Sequence, residues 1–370
     1  MKIKFTNLYK LLSDKSKIIN KINTLIKQSQ FVGGEEVENF EKNFRKFVKA
    51  KYCVSVGNGT DALEIAVASL KLKKNSEIIL PVNTWISTAE SIISNDCKPV
   101  FCDINLYDYS ICLDDLRKKI SNKTKAIIAV HLYGNPSNMK VIKKLAKNKN
   151  IKIIEDCAQA HGTKIEKKHV GTFGDVGTFS FFPGKNLGGF GDGGAIITNS
   201  KKVYEYSLRT RNHGAKKKYD HKFSGRNSRL DTLNASVLNI KLKKYNKVVK
   251  TRNKLANIYF KGLKNVGDVK LFKLNKANTH SFHQFVIRTK NRDKLASYLK
   301  KNNIQTMIHY PYMLNELKFF KNQFVKNSKN LGKKILSLPI SEEHSEKEIN
   351  YIIKKIKLFF KRKFFTNKYP

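Results

Sequence analysis

Residues 178–195 read TFSFFPGKNLGGFGDGGA, and this stretch carries the most specific information in the chain. An apolar strand pattern at 176–182 runs directly into a turn that contains Pro183 and Gly184, and Lys185 follows. In a turn of this kind the backbone is constrained, so the amine can be directed inward. A lysine that forms a Schiff base needs such a site, because burial or a nearby cation lowers its pKa and leaves a free amine.

Short apolar runs alternate with helical patterns before this stretch. The runs predict strands at residues 52–56, 77–82, 99–104, 126–132 and 151–154. Helix candidates begin near Thr60, Thr84, Leu113 and Asn138, and two further helical patterns open the chain. Repeated alternation with continuously apolar strands predicts an α/β fold with a parallel sheet covered on both faces.

The second half of the chain predicts a smaller domain. Strands at 176–182 and 195–199 are joined only by a loop, and one long helical pattern then runs from Leu233 to Ile258. Further strands are predicted at 283–288 and 306–309, before a last helix with one apolar face. We therefore predict a large domain at 1–245 and a small C-terminal domain at 246–370.

The composition is strongly basic, with 73 Lys and Arg against 29 Asp and Glu and a net charge of +44. This charge alone favours a rival class, a nucleic-acid-binding or regulatory protein. The lysines are scattered over nearly every predicted helix, however, and no recognised nucleic-acid-binding motif accompanies them. A compositional bias is our preferred explanation, and the positive field would help to capture an anionic substrate.

Cysteine spacing and hydropathy bear on the location of the protein. Five cysteines at irregular spacings fit neither a disulfide framework nor a zinc site, so we expect no metal. No segment approaches the ~20 apolar residues that span a bilayer. The lysine-rich last helix also fits a membrane surface, but a packed closing helix is the favoured interpretation. A reducing cytoplasm is the expected location.

The segment 57–62, GNGTDA, follows the first strand and opens a helix. Free backbone amides and the helix dipole at such a point bind phosphate. The segment also matches the G-x-G-x-x-A fingerprint of a nicotinamide-dependent enzyme. That interpretation expects an acidic residue at the end of the next strand, where the sequence has Pro81-Val82-Asn83 instead. A plain glycine-rich turn is the third alternative.

Glu155 and Asp156 follow the strand predicted at 151–154. Ligands of open parallel sheets gather at the carboxyl ends of the strands, so these carboxylates lie where a ligand is expected. A carboxylate there can pair with a protonated ring nitrogen. An acidic pair after a strand is also typical of a turn or a helix cap.

Taken together, several ordered motifs resemble the DegT/DnrJ/EryC1/StrS family of sugar aminotransferases. They are the segments 58–62, 155–162, 182–194, 227–231, 283–288 and 308–311. The resemblance implies an aspartate-aminotransferase-like fold, type I of the pyridoxal-phosphate enzymes, with a large, mostly parallel sheet and a smaller α+β domain. It also implies pyridoxal 5'-phosphate as cofactor and a homodimer with shared active sites.

The resemblance implies a role for each matched residue. Lys185 carries the cofactor covalently and later moves a proton, while Asp156 pairs with the ring nitrogen. Trp85 stacks on the ring, and Gln159 contacts its hydroxyl side. The phosphate is held by Gly59, Thr60 and Ser180, with Asn227 reaching it from the partner subunit.

The resemblance also indicates the substrate. Lysine at position 185 excludes the related dehydratases, which have histidine there. The sequence around Lys185 is similar to that of family members that act at C-3 of a dTDP-linked 3-keto-6-deoxyhexose. For these members the resemblance implies L-glutamate as amino donor and a product used for surface polysaccharide or related glycans. Amination at C-4 and a UDP-linked sugar stay open as alternatives. The candidates for the substrate pocket are Tyr219, His221, Arg229, His309 and Tyr310.

Overall fold

The computed structural model describes residues 1–12, 14–320 and 323–366, with side chains described as far as residue 361. Its centre is a seven-stranded sheet in the order β1-β9-β8-β5-β4-β2-β3. The strands are β1 Tyr52–Val56, β2 Glu77–Pro81, β3 Lys98–Cys102, β4 Thr124–Val130, β5 Lys152–Asp156, β8 Val176–Ser180 and β9 Gly194–Thr198. Two short strands, β6 Lys164–Ile165 and β7 Lys168–His169, form a separate hairpin.

Helices cover both faces of this sheet, as the continuously apolar strands predict. They are α1 Lys15–Lys27, α2 Glu35–Val48, α3 Gly59–Ser69, α4 Ser87–Ile93, α5 Leu113–Lys119, α6 Met139–Lys147, α7 Lys201–Thr210 and α8 Thr232–Leu242. Buried side chains of β8 and β9 fall into two clusters, one on each side of the sheet. The predicted α/β fold with a mostly parallel sheet is confirmed.

Strand β9 is the exception to the parallel arrangement. It pairs antiparallel with β1 on one side and with β8 on the other, while β2, β3, β4, β5 and β8 form parallel pairs. Residues 181–193 join β8 to β9 without a helix, whereas the connection between parallel strands usually contains one. The loop carries Lys185, so the antiparallel turn positions this residue at the carboxyl end of β8.

A second, three-stranded antiparallel sheet lies in the last third of the chain, in the order β10-β11-β12. Its strands are β10 Lys270–Leu271, β11 Phe285–Arg288 and β12 Ile335–Leu338, and the helices of this part are α9 Tyr245–Leu263, α10 Arg292–Lys301 and α11 Glu346–Thr366. The apolar face of α11 is buried against α9, where a Cβ at Gly262 would lie 2.7 Å from Ile353. The last helix therefore packs through its apolar face, as the sequence predicted.

Two sequence predictions in this region are wrong. Residues 306–309 form no strand, because only Met307 pairs, through one bridge to Ser337 of β12. The single long helix predicted from Leu233 is two helices, α8 and α9. Tyr245 at the start of α9 is buried and its hydroxyl donates to the carbonyl of His161 at 2.9 Å, so packing on the loop after β5 sets the bend.

The division of the chain at residue 245 remains a prediction. Ile3 at the N-terminus is buried and bridges Ile304, so the first residues pack on the last third of the chain. Among the described residues, no helix has the length and apolar character needed to cross a bilayer.

Candidate active site

The loop after β8 holds Lys185 at the carboxyl edge of the large sheet. The amide of Lys185 donates to the carbonyl of Phe182 at 2.8 Å, which closes the turn. At Gly188 a Cβ would lie 2.4 Å from the carbonyl oxygen of Pro183, so the chain folds back too closely for any side chain. Backbone contacts therefore fix the conformation of the turn that carries Lys185.

The Lys185 side chain is partly buried and its amine is desolvated. Burial lowers the pKa of Lys185 below its ordinary value, and the charge of Asp156 partly opposes this shift. Burial is the larger effect, so a larger fraction of the amine is free of its proton than in a solvated lysine. A free amine next to a carboxylate is the arrangement that a nucleophilic lysine needs.

Asp156 ends β5 and is almost completely buried, at 5% exposure. One carboxylate oxygen accepts from the amide of Ala158 at 3.1 Å, and the other accepts from the hydroxyl of Thr88 at 3.0 Å. Each oxygen keeps a further lone pair. The carboxylate is therefore fixed in place and can still accept a hydrogen bond from a ligand.

Gln159, Tyr310 and Trp85 form a polar and aromatic wall beside Asp156. The Gln159 amide nitrogen donates to the Tyr310 hydroxyl at 2.9 Å, and its oxygen accepts from the amide of Tyr133 at 2.7 Å. The rings of Tyr310 and Trp85 lie 5.6 Å apart, and Trp85 is 59% exposed. Burial, then the charge of Asp156, raises the pKa of Tyr310, so its hydroxyl stays protonated.

Gly59 and Thr60 begin α3, and Ser180 at the end of β8 lies beside them. A Cβ at Gly59 would lie 2.7 Å from the Cβ of Ser180, closer than real Cβ contacts allow. Asn58 caps the helix by accepting from the amide of Asp61 at 2.8 Å. The first amides of a helix have no acceptor within the helix, so they are available to an anion. The glycine allows this helix end to approach Ser180.

Three histidines surround Lys185, and all are neutral near pH 7. Burial, followed by the charge of Lys185, lowers the pKa of His161 to about 3 and that of His309 to about 4. The same two causes lower the pKa of His283 well below its ordinary value. Near pH 7, Lys185 is therefore not flanked by protonated histidines.

Four predicted site residues are exposed in the single chain. Tyr219 is 83% exposed, and His221, Asn227 and Arg229 are also exposed. His221 Nδ1 lies 2.8 Å from the carbonyl of His213, and Arg229 lines a separate cavity of about 600 Å³. Of the five predicted substrate residues, the structure brings only His309 and Tyr310 to the edge where Lys185 lies.

Several residues of the site were not predicted. Thr88 binds Asp156, and Ser87 pairs with Thr60 at 2.8 Å. Asn186 accepts from His283 at 2.9 Å and donates to the carbonyl of Ser281 at 3.0 Å, which ties the Lys185 loop to the last third of the chain. The only indication in the sequence was that these residues follow the ends of strands. Nothing in the sequence indicated which residues they would bind.

Glu155, the other half of the acidic pair, points away into a buried cluster with His131 and Cys157, whose ligand atoms lie within 4.8 Å of one another. Glu155 accepts from His131 at 2.9 Å and from the amides of Gly171 and Gly174 at 2.8 and 2.7 Å. Its oxygens are thus used within the protein, and it stabilises the loop before β8.

The comparison with known proteins agrees with this geometry. The model of the DegT/DnrJ/EryC1/StrS aminotransferase family matches residues 12–357. The dTDP-3-amino-3,6-dideoxy-alpha-D-galactopyranose transaminase of Aneurinibacillus thermoaerophilus is 37% identical over 338 residues, which cover 90% of this chain and 93% of that protein. A UDP-N-acetyl-3-dehydro-alpha-D-glucosamine 3-aminotransferase of Acidithiobacillus ferrooxidans is 34% identical over 338 residues, covering 90% and 91%.

The fold agrees as well. The crystal structure of S. venezuelae DesV superimposes with a TM-score of 0.93 at 30% identity and covers 97% of this chain and 98% of that one. These matches decide between the alternatives for residues 57–62 in favour of an aminotransferase, and they confirm the type I fold and pyridoxal phosphate as cofactor. The chain therefore belongs to the DegT/DnrJ/EryC1/StrS aminotransferase family.

Proposed function

We propose that this aminotransferase transfers the amino group of L-glutamate to the keto carbon of a dTDP-3-keto-6-deoxyhexose. The product is a dTDP-3-amino-3,6-dideoxyhexose for surface polysaccharide or a related glycan. The observation that carries the proposal is the desolvated Lys185 amine beside the fixed carboxylate of Asp156. The names of two relatives, one dTDP-linked and one UDP-linked, both concern position 3 of the sugar, which favours C-3 over C-4.

The residues at the sheet edge fit pyridoxal phosphate. The close approach of Gly59 to Ser180, together with the open amides of α3, suits a phosphate group. Trp85 offers an exposed aromatic face for the ring, and Asp156 has a lone pair for its nitrogen. When bound, the cofactor supplies an aldehyde for an amine and a ring that withdraws electrons from the reacting carbon.

The chain's own residues supply binding and proton transfer. Lys185 Nζ, with its lone pair free, would be the atom that holds the cofactor, and it would accept and return a proton at the substrate carbon. Asp156 is held in place by Thr88 and the amide of Ala158, so its carboxylate would be positioned to keep the ring nitrogen of the cofactor protonated. Gln159 holds Tyr310 beside Trp85 and thereby shapes the face on which the sugar reacts.

We also infer that the enzyme works as a homodimer in which one copy completes the site of the other. Asn227 is exposed in the single chain, as expected for a residue that reaches the partner's phosphate site. Its neighbour Ser228 accepts from the amide of Gly57 at 3.0 Å, which fixes this loop beside the start of α3 in its own chain and leaves Asn227 exposed. Tyr219, His221 and Arg229 of the same loop are then candidates for the partner's sugar pocket.

Hybrid dimers test the shared site. Lys185→Ala is expected to be inactive on its own, and Asn227→Ala is expected to bind cofactor weakly. In a shared-site dimer, a mixed dimer of the two variants has one site that carries both changes and one that carries neither. We expect mixing to restore activity. Active enzyme that is strictly monomeric in sedimentation would contradict the shared site.

A UDP-linked 3-keto sugar is the second candidate, because the relative from Acidithiobacillus ferrooxidans is named for one. The test offers the enzyme 3-keto and 4-keto sugars, each on dTDP and on UDP, with L-glutamate as donor. NMR then locates the new amine. An amine at C-3 of the dTDP sugar supports the proposal, whereas an amine at C-4 or a clear preference for UDP overturns it and leaves the aminotransferase assignment intact.

The cytoplasm is the proposed location, because nucleotide-linked sugars carry a charged diphosphate and each of the five cysteines is a free thiol. The net charge of +44 then serves to attract that diphosphate. Raising ionic strength should increase KM for the nucleotide sugar while kcat changes little.

A further inference from the structure

Two consecutive hydroxyl residues, Ser87 and Thr88, stand at the beginning of α4, just after Trp85. Both are buried, at 7% and 0% exposure. A buried hydroxyl on a helix commonly donates to a carbonyl of its own helix, as Ser91 does to the carbonyl of Thr88 at 2.9 Å. Ser87 and Thr88 instead contact two other elements, at different parts of the site.

Thr88 contacts Asp156. Its hydroxyl donates to a carboxylate oxygen at 3.0 Å, since an ionised carboxylate can only accept. The hydroxyl of Thr84 lies 2.9 Å from that of Thr88. Because Thr88 has given its single proton to Asp156, Thr84 must be the donor of this second bond. The chain Thr84, Thr88, Asp156 therefore has one direction and ends at the carboxylate.

Ser87 contacts the other part of the site. Its hydroxyl lies 2.8 Å from that of Thr60, the second residue of α3. Gly59, the residue before Thr60, is the one that closely approaches Ser180. One turn of α4 therefore touches both the carboxylate at the end of β5 and the helix start where we place the phosphate.

We propose that Thr88 and Ser87 are positioning residues, Thr88 acting through Asp156 on the ring nitrogen and Ser87 acting through Thr60 on the phosphate. The inference rests on the proposed cofactor site. The two neighbouring residues have separate roles. Thr88 determines how fast the enzyme reacts when it is saturated with cofactor, and Ser87 determines how tightly the cofactor is held.

Other groups also face Asp156, and they define what the test must hold constant. The amide of Ala158 donates to its second oxygen, and the charges of Asp156 and Lys185 interact. Besides burial, the charge of Asp156 contributes to raising the pKa of the Tyr310 hydroxyl and of the Cys157 thiol. None of these groups is changed in the variants below, so a change in rate is attributable to the lost hydroxyl.

The test uses full-length Thr88→Val, Thr88→Ser, Ser87→Ala and, as a control on the same helix, Ser91→Ala. Apoprotein is titrated with pyridoxal phosphate by visible absorbance, which gives a dissociation constant. The rate constant of the half-reaction with L-glutamate is then measured by the loss of that absorbance at saturating cofactor. Together, the two readouts separate binding from reaction.

We expect Thr88→Val to slow the half-reaction by about tenfold or more, with a dissociation constant within about twofold of wild type. Thr88→Ser should restore the rate to within about threefold, because it keeps the donor. Ser87→Ala should raise the dissociation constant about fivefold and leave the saturated rate nearly unchanged. Ser91→Ala should match wild type in both.

Two results would overturn the inference. One is a wild-type rate in Thr88→Val, and the other is a parallel change of both readouts in both variants, as expected if α4 is only a structural support. If Thr88→Val does not fold, Thr84→Val tests the same chain, with an expected loss of about threefold in rate. A wild-type enzyme that binds cofactor but does not react with L-glutamate would instead refute the proposed donor.

Discussion

Replacing Gly59 by alanine tests the phosphate site through a single steric contact. The added Cβ would lie 2.7 Å from the Cβ of Ser180, 3.1 Å from its hydroxyl and 3.3 Å from its Cα. The last of these atoms belongs to the backbone of β8 and cannot rotate away. The first turn of α3 must therefore move away from Ser180, and its amides move with it.

The expected loss of cofactor affinity follows from the size of this steric clash. Overpacking of this kind costs about 1–3 kcal/mol, and binding must recover the original position of α3 against that strain. Cofactor affinity should therefore fall by roughly 5- to 150-fold. The assay is titration of the apoprotein with pyridoxal phosphate, followed by visible absorbance and checked by equilibrium dialysis.

Two controls isolate the contact. Gly191→Ala changes a glycine of the same loop region as Lys185, but no described atom lies within 4 Å of its added Cβ, so affinity should stay near wild type. In a Ser180→Gly background the two shortest contacts disappear. Gly59→Ala should then reduce the affinity for the cofactor by less than it does in wild type. Wild-type affinity in Gly59→Ala would refute the assignment of the phosphate to this helix end.

Two further predictions concern the site, and a third concerns the stability of the fold. Asp156→Asn should keep the covalently bound cofactor but lose about two orders of magnitude in turnover, roughly 3 kcal/mol; near-normal turnover would mean that another carboxylate serves the ring. Trp85 is the only tryptophan, so cofactor binding should quench the intrinsic fluorescence, and an unchanged spectrum would exclude stacking. Burial lowers the pKa of His280 to about 3, so the unfolded chain binds the extra proton below pH 6.5 and stability falls as pH falls from there toward 3. The slope should approach about 1.4 kcal/mol per pH unit for this histidine, and urea unfolding of His280→Phe between pH 7 and 4.5 should lack that share of it.

The large sheet was predictable because its strands are short, apolar and bounded by polar turns. The strand ends differed by a few residues, since hydrogen bonding between neighbours decides where a strand stops. Strand β12 was missed, because Ile335–Leu338 is only four residues long and Pro339 follows it directly. The bend between α8 and α9 was missed because apolar residues recur at helical spacing on both sides of it.

The candidate site was predictable only where chain order and sheet geometry coincide. Asp156 and Lys185 follow strands that are neighbours in the parallel part of the sheet, so their proximity follows from the α/β pattern. The contact of Thr88 with Asp156 joins residues 68 positions apart through one hydroxyl, and such a contact has no periodic signature. Among the predicted pocket residues, Arg229 lies in a motif of the resemblance, whereas Tyr219 and His221 lie outside the matched motifs. A single chain leaves all three exposed.

The proposed active site depends on Lys185 as the residue that binds the cofactor, and reductive trapping identifies that lysine. Enzyme loaded with pyridoxal phosphate is reduced with borohydride and digested, and the modified peptide is identified by mass spectrometry, with Lys185→Ala treated in parallel. We predict one modified peptide, with the cofactor on Lys185, and no modification in the variant at stoichiometric cofactor. Stoichiometric modification of any other lysine, or of Lys185→Ala itself, would show that Lys185 is not the residue that binds the cofactor.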